Sequence, residues 1–428
     1  MEIEYRKKQL RGLLGFLQEH ETALIQAVRA DVGKPIFEIH ATELGMVRSE
    51  IHHALKHLAA WTRPKSVCTP LVHQAGTSWI QYEPLGKILI IAPWNYPIQL
   101  TLVPLVNALA AGNQTVLKPS ELAPHCAKLF AQKLPNSVDT KVYEGGPEVT
   151  QKLLEQKWDH ILFTGSTRIG KLVYEKAAQT LSPVTLELGG KCPVILDNTC
   201  QLKLSARRIA WGKLINAGQT CVAPDYLLAH QDIVDNLVLE LRNSIQQFFG
   251  KNPENSPDYG RIVNQTHLKR LLALAPDAVH NVKTNYFAPT ILQPISADHL
   301  AMQEEIFGPI LPILSFQHLE EAIGFVNARP KPLALYCFSE SKVAQKQILS
   351  NTHSGGLCIN DTLSHLGIPA LPFGGVGDSG FGAYHGRWGF ERFSHAKSIY
   401  SRNTHLDLPV RYPPYTPTAL KIANWFQR

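Results

Sequence analysis

Two short segments hold the residues best suited to covalent chemistry: LELGGK, which carries Glu187, and NAGQTCVAP, which carries Cys221. A free thiol has a pKa of about 8.5 and is only a few per cent thiolate at neutral pH, so a nucleophilic cysteine needs a base or a local positive potential. A carboxylate can take that proton and later activate a water against a covalent intermediate. The alternative is structural: Cys221 as a small buried hydrophobe and Glu187 as a charge at a strand end. The surrounding sequence has to decide.

From residue 87 onward, short apolar runs alternate with helical segments: KILIIA, a helix ending near Gly112, TVLK, a helix over 122–134, KVYEGG, HILFTG, a helix, and VTLEL. Alternation of this kind predicts βαβ units and a parallel sheet. Asn95, Lys118, Gly165 and Glu187 each follow one of these runs. Ligands of open parallel sheets bind outside the carboxyl ends of the strands, so the four are expected along one edge. After about residue 190 the alternation resumes with PVILD, a helix ending near Gly218, YLLAH, a helix ending near Gly250, LALYCF and GLCIND. A second α/β domain is expected there, with Glu187 and Cys221 facing each other across the cleft. Upstream, Leu10, Leu13, Leu14, Leu17, Leu24 and Val28 recur at helical spacing, and Gly33 with Pro35 supplies a stop. Residues 66–83 read as a β hairpin.

Three segments suggest a nucleotide. FTGSTRIG follows a strand and opens a helix, so its turn can present N–H groups to phosphate, although the spacing of Gly165, Ser166 and Gly170 is not GxGxxG. In KPSE, Lys118 and Glu121 offer an ammonium and a carboxylate for ribose hydroxyls, and in EEIFGP, Glu305 and Phe307 offer a carboxylate and an aromatic face. Each has an ordinary surface or turn reading when taken alone.

The whole chain narrows the classes. Its 428 residues exceed one ordinary core, and 44% hydrophobic with 8% aromatic residues describes a globular protein. No apolar run approaches the length of a membrane span, and MEIEYRKKQLR is not a secretory leader, so a cytoplasmic location is expected. Seven scattered cysteines without a CxxC pair fit reduced thiols. A net charge of +7 on dispersed basic residues disfavours a nucleic-acid partner. His53 and His57 stand at i,i+4, but no HExxH motif or third ligand lies nearby, so a solvated helix face and no metal is the expectation.

PWNYP (93–97), LKPSE (117–121), FTGS (163–166), LELGGK (186–191), GQTCVAP (218–224), EEIFGP (304–309) and PFGGVGDSG (372–380) occur in the order found in the aldehyde dehydrogenase superfamily. This resemblance covers nearly the whole chain. ARRIAWGKLINAGQTCVAPDY, RPKPLALY and RYPPY resemble the class 3 branch, which acts on fatty and aromatic aldehydes and has bacterial members. The resemblance implies a variant Rossmann cofactor domain, a second α/β catalytic domain and a small β oligomerisation element. The corresponding boundaries are 1–65 with 84–189 for NAD(P) binding, 190–378 for catalysis, 66–83 with 395–410 for oligomerisation, and 411–428 as a tail. It implies Cys221 as nucleophile, Asn95 and the Cys221 N–H as the oxyanion hole, and Glu187 as activator of the deacylating water. NAD or NADP would be held by Trp94, Lys118, Glu121, Gly165, Ser166, Gly170, Glu305 and Phe307. Glu121 favours NAD by occupying the space of a 2′-phosphate, yet class 3 relatives with this residue also accept NADP.

The chain departs from the family pattern by beginning within the first helical region and by being short near 134–146 and 275–286, which is surface-loop trimming. The tail PTALKIANWFQR is too short and polar for the membrane anchor of some class 3 members, so no integral membrane segment is expected. The implied substrates are apolar aliphatic, aromatic or apocarotenoid-like aldehydes, and the implied assembly is a homodimer built on the 66–83 hairpin and a strand at 395–401. Two alternatives stay open: a thiol esterase or acyltransferase, which would leave KPSE and EEIFGP unexplained, and a non-catalytic nucleotide-binding protein on the same fold. A reductive acyl-CoA or phosphorylating enzyme is disfavoured by Glu187, because those reactions exclude water from the thioester.

Overall fold

A computed structural model describes residues 2–407 and 409–426. Its framework is two six-stranded sheets. The first runs in spatial order Gly380–Phe381, Val184–Leu188, His160–Gly165, Lys87–Ile91, Gln114–Lys118 and Thr140–Val142. All neighbours are parallel except the first pair, where Gly380 opposes Glu187 and Phe381 opposes Leu186. The central strands are almost wholly buried and mainly apolar, as strands covered on both faces must be. The second sheet, Thr290–Leu292, Ile310–Phe316, Tyr226–His230, Pro193–Leu196, Ala334–Phe338 and Gly356–Ile359, is parallel throughout.

Only residues 189–192 separate the strand Val184–Leu188 of the first sheet from Pro193–Leu196 of the second. The carboxyl edge of one sheet must therefore abut the amino edge of the other, and that junction is where a cleft opens. The first sheet also carries the chain reversal typical of a doubly wound fold. From Lys87–Ile91 the order grows one way to Gln114–Lys118 and the other way to His160–Gly165. Asn95 and Gly165 follow those diverging strands, at the switch point where such sheets bind ligands.

The helix Gln99–Ala111 is buried along its whole length and packs against Gly45–Thr62 and Gly386–Arg392, so this helix is central. It stops at Gly112, in the left-handed conformation at φ 92°, as the sequence predicts. The helix Glu21–Val32 likewise ends on left-handed Gly33. One helix stops early. The helix expected to reach Gly218 ends at Leu214, and Asn216 and Ala217 are left-handed at φ 51°. Side-chain hydrogen bonds from elsewhere in the fold hold that turn, a constraint that local pattern does not contain.

A third sheet joins Lys65–Val67, Gly76–Pro84 and Ser394–Arg402 in antiparallel register, with nine residue pairs between the two longer strands. Residues 379–394, which the sequence division leaves unassigned, return to the first sheet through Gly380–Phe381 and the helix Gly386–Arg392. His53 and His57 lie on the helix Gly45–Thr62 with ring centroids 4.6 Å apart, and both pack onto Trp61. They are half-buried stacking partners, not the solvated face that was expected. Among the described residues no group of three His, Cys, Asp or Glu side chains is arranged to hold a metal ion, and no helix is long and apolar enough to cross a membrane.

Candidate active site

A cleft of about 1040 Å³ lies at the junction of the two sheets. Trp94, Asn95, Gly165, Ser166, Glu187, Cys221, Glu305 and Phe307 all line it. Asn95 and Glu187 come from the ends of first-sheet strands, and Cys221 comes from the turn that leads into Tyr226–His230 of the second. LELGGK and NAGQTCVAP thus meet across the junction of the two sheets.

Burial sets the electrostatics. Glu187 is 2% exposed and neither carboxylate oxygen has a hydrogen-bond partner. Desolvation holds its carboxyl well above the usual carboxylate range, with the distant positive charge of Arg392 opposing that rise. The Cys221 thiol is pushed well up by the same desolvation, and further by the charges of Glu305 and Glu187. Both groups are thus raised by the same loss of water, and the negative charge of Glu187 is one of the causes that raise the thiol. The Asn95 side chain donates from Nδ2 to the Gln219 carbonyl at 3.1 Å, two residues before Cys221. A buried carboxyl without a hydrogen-bond partner is costly for stability, and such a group lining a cleft together with a buried thiol marks a candidate reactive centre.

The remaining lining fits a dinucleotide. Three buried oxygens in the cleft wall, Thr164 Oγ1 and both oxygens of Glu187, are unsatisfied. The helix Thr167–Gln179 starts in the wall with no side-chain cap at Ser166, so its first N–H groups are free for a phosphate. Trp94 and Phe307 meet edge to face with centroids 5.6 Å apart, and His267 lies 5.4 Å from Trp94. Glu305 is pushed up to about 8 by burial and by Asp225, against the pull of the Gly190 backbone, Lys191 and Arg270.

Three residues expected at the cofactor lie outside this lining. Lys118 is 2% exposed, and its ammonium donates to Pro119 O at 2.8 Å and to Glu121 at 3.3 Å. Glu121 is half-exposed beside it. Gly170 packs against Leu188, where a Cβ would come within 2.6 Å of the leucine methyl. Its role in this structure is close helix–strand contact.

Several residues that frame the site are not among the candidates that the sequence singles out. Lys191 donates to Asp225, to Ala301 O at 2.8 Å and to Glu304 O at 2.9 Å, tying LELGGK to the segment that carries Glu305. Asp225 also accepts the Ile306 N–H, and Arg270 donates to Ile306 O at 2.6 Å. Lys191 belongs to a motif that was noticed, and Asp225 follows the Cys221 motif directly. Arg270 could not have been singled out from helix periodicity alone.

The doubly wound sheet and a cleft lined by a thiol, a carboxyl and an uncapped helix start fit a dinucleotide-dependent enzyme of the dehydrogenase class. Residues 1–399 match the model of the aldehyde dehydrogenase family, and the chain belongs to that family. It is 46% identical over 437 residues to 4,4'-diaponeurosporen-aldehyde dehydrogenase of Staphylococcus aureus, covering 100% of this chain and 95% of that one. It is also 46% identical over 430 residues to human aldehyde dehydrogenase family 3 member B1, covering 98% of this chain and 92% of the relative. A solved substrate-bound structure of Staphylococcus aureus AldH superposes with a TM-score of 0.97 at 45% identity, covering 99% of this chain and 95% of that chain. An indole-3-acetaldehyde dehydrogenase of P. syringae in complex with NAD+ superposes at 0.85 with 25% identity, over 94% and 85% of the two chains. The protein is an aldehyde dehydrogenase that uses NAD or NADP.

Proposed function

We propose that Cys221, Asn95 and Glu187 oxidise apolar aldehydes, of the aliphatic, aromatic or apocarotenoid kind, to carboxylic acids. The observation that carries this reading is the convergence of the three side chains on one cleft from two different sheets. The Cys221 thiol gives up its proton to solvent, its sulfur attacks the aldehyde carbon, and the carbonyl oxygen gains negative charge. Asn95 Nδ2 and the Cys221 N–H are the donors for that oxygen, and losing one such donor typically costs about 100- to 1,000-fold in rate. The bound NAD or NADP supplies the hydride acceptor that converts the thiohemiacetal to a thioester. Glu187 then takes a proton from water, the resulting hydroxide adds to the thioester carbon, and the Cys221 thiolate leaves and recovers that proton as the carboxylic acid is released. A buried, unpartnered Glu187 suits this, because a water entering beside it finds two free acceptors.

Trp94, Gly165, Ser166, Glu305 and Phe307 are the cofactor contacts in this reading, with Lys118 and Glu121 reaching the adenine-side ribose from just outside the lining. Residues 1–65 with 84–189 and 190–378 are the cofactor and catalytic units, 66–83 with 395–410 the oligomerisation element, and 411–428 a tail. The apolar substrate class is supported by the named activity of the Staphylococcus aureus relative. A cytoplasmic setting is supported by the seven cysteines, all free thiols. A homodimer is supported by the strand Ser394–Arg402, nine residues long and on the edge of its sheet, whose outer backbone groups need a partner.

The test is absorbance at 340 nm with a panel of medium-chain, long-chain and aromatic aldehydes, each with NAD and with NADP. Signal that needs both aldehyde and nucleotide is the expected result. Silence across the panel with nucleotide still bound would favour a binding role, and silence without nucleotide binding would favour a thiol hydrolase.

A further inference from the structure

Lys34 is 1% exposed, and both its side chain and that of Glu43 are completely shielded from solvent. In the sequence it stands in GKP, where the glycine and proline read as a helix stop. In the fold its ammonium donates to Glu43 Oε1 at 2.6 Å and to the backbone carbonyl of Asn95 at 3.1 Å, and it lies 3.6 Å from the centre of the Tyr96 ring. All three donors of the ammonium thus have a partner.

The other Glu43 oxygen accepts the N–H groups of Ile98 at 3.0 Å and Gln99 at 2.9 Å, at the entry to the buried helix Gln99–Ala111. One buried ion pair therefore grips the turn 95–99 at both ends, by its first carbonyl and by its last two amides. Asn216 closes the frame from the opposite side. Its Nδ2 donates to the same Asn95 carbonyl at 2.9 Å and to Gln219 O at 3.2 Å, and its own N–H is held by Glu38 Oε2 at 2.8 Å. Tyr96 Oη meets Thr220 Oγ1 at 2.7 Å. The turn that carries Asn95 and the turn that leads into Cys221 are laced together through Lys34, Glu43 and Asn216.

Burying two charges is expensive, and the cost is offset here only because every donor and acceptor is used. A hydrophobic pair of the same volume would have filled the space more simply, so the charges call for another explanation. We propose that the Lys34–Glu43 pair is a positioning device for the Asn95 side chain, holding it where it donates to the oxygen of the reacting aldehyde. This rests on the reading of Asn95 as the oxyanion donor. Holding a donor to well under 1 Å matters, because a misplacement of that size costs about 100-fold in rate.

The experiment is a double-mutant cycle on kcat at saturating aldehyde and NAD. Lys34→Met with Glu43→Gln removes both charges together, keeps the stem of the lysine, and leaves an amide oxygen for the Ile98 and Gln99 N–H groups. The expected result is a fall of about 10- to 100-fold in kcat with NAD affinity, read by protein fluorescence, within about 2-fold of wild type. In an Asn95→Ala background the same pair is expected to change kcat by less than about 3-fold, because the group it positions is gone. An unchanged kcat, or the same loss in both backgrounds, would overturn the proposal. If Asn95→Ala alone leaves kcat intact, the role of Asn95 itself fails, which is a separate result from a cycle that is merely additive. Glu43→Asp, which keeps both charges but shortens the reach to the Ile98 and Gln99 N–H groups, is the second variant should the pair not fold. It is expected to lower kcat by about 3- to 10-fold in the wild-type background and to have no effect with Asn95→Ala.

Discussion

Glu187 and Gly380 are Cα partners in a two-residue antiparallel pair at the edge of the first sheet. Gly380 sits at φ 121°, and a Cβ there would run into the carbonyl of Leu186, one residue before Glu187. The catalytic candidate therefore lies under a strand that only glycine can bring this close. Gly380→Ala is expected to lower thermal stability by several degrees and kcat by at least about 10-fold, since the strand must move away from the Leu186–Glu187 backbone. Melting curves and steady-state rates on the same preparation check this. An unchanged kcat would separate the edge strand from the chemistry.

Glu187→Gln is expected to leave the first turnover fast and to stall the second. Stopped-flow absorbance should show about one NADH per active site followed by turnover reduced roughly 100-fold or more. Cys221→Ala should abolish both phases while nucleotide binding persists. If Glu187→Gln removes the burst itself, the carboxylate acts first on the thiol.

The thiol of Cys221 is raised mainly by burial, and next by the charge of Glu305, which itself titrates at about 8. Replacing Glu305 with Gln removes a negative charge while keeping an acceptor for the Gly190 backbone. The Cys221 pKa must then fall, so alkylation by iodoacetamide without cofactor is expected to quicken several-fold at pH 8 and above, where the wild-type carboxylate is charged. An unchanged rate–pH profile would mean that Glu305 does not influence the thiol.

Glu50 gives a pH dependence of stability. It is 2% exposed, and burial raises its carboxyl to about 7 against the pull of the Gly386 N–H, which donates to it at 2.5 Å. The folded state keeps this proton between the unfolded value of about 4.5 and about 7, so the associated stability is present below 4.5 and is lost as pH rises through 7. Glu50→Gln cannot ionise and keeps an acceptor. Denaturant unfolding should find the two proteins similar at pH 5, with the variant more stable at pH 8 by an amount approaching about 3 kcal/mol. A gap that does not grow with pH would contradict the assignment.

Cys221 and Glu187, the strands that bear the cofactor candidates, and the stops at Gly33, Gly112 and Gly250 were all legible in the chain. Each depends on local information: a two- or 3.6-residue period, a glycine at a helix end, or a short motif. The hairpin at 66–83 was legible for the same reason, the strand at 395–401 was implied by the family resemblance, and the structure pairs the two.

What the chain by itself determined, then, was the inventory of elements and the residue types able to do chemistry. Only the tertiary structure decided which of them meet. Lys34 touches Asn95 across 61 positions, Asn95 touches Gln219 across 124, and Gly386 caps Glu50 across 336. None of these pairings follows from a local period, because sheet order and register set them, and how far the Glu187 carboxyl is raised depends on how completely the assembled cleft removes it from water. Gly170 illustrates the same limit. The resemblance implied a cofactor role for it although its spacing departs from GxGxxG, and its close packing against Leu188 became visible only in the assembled helix–strand contact.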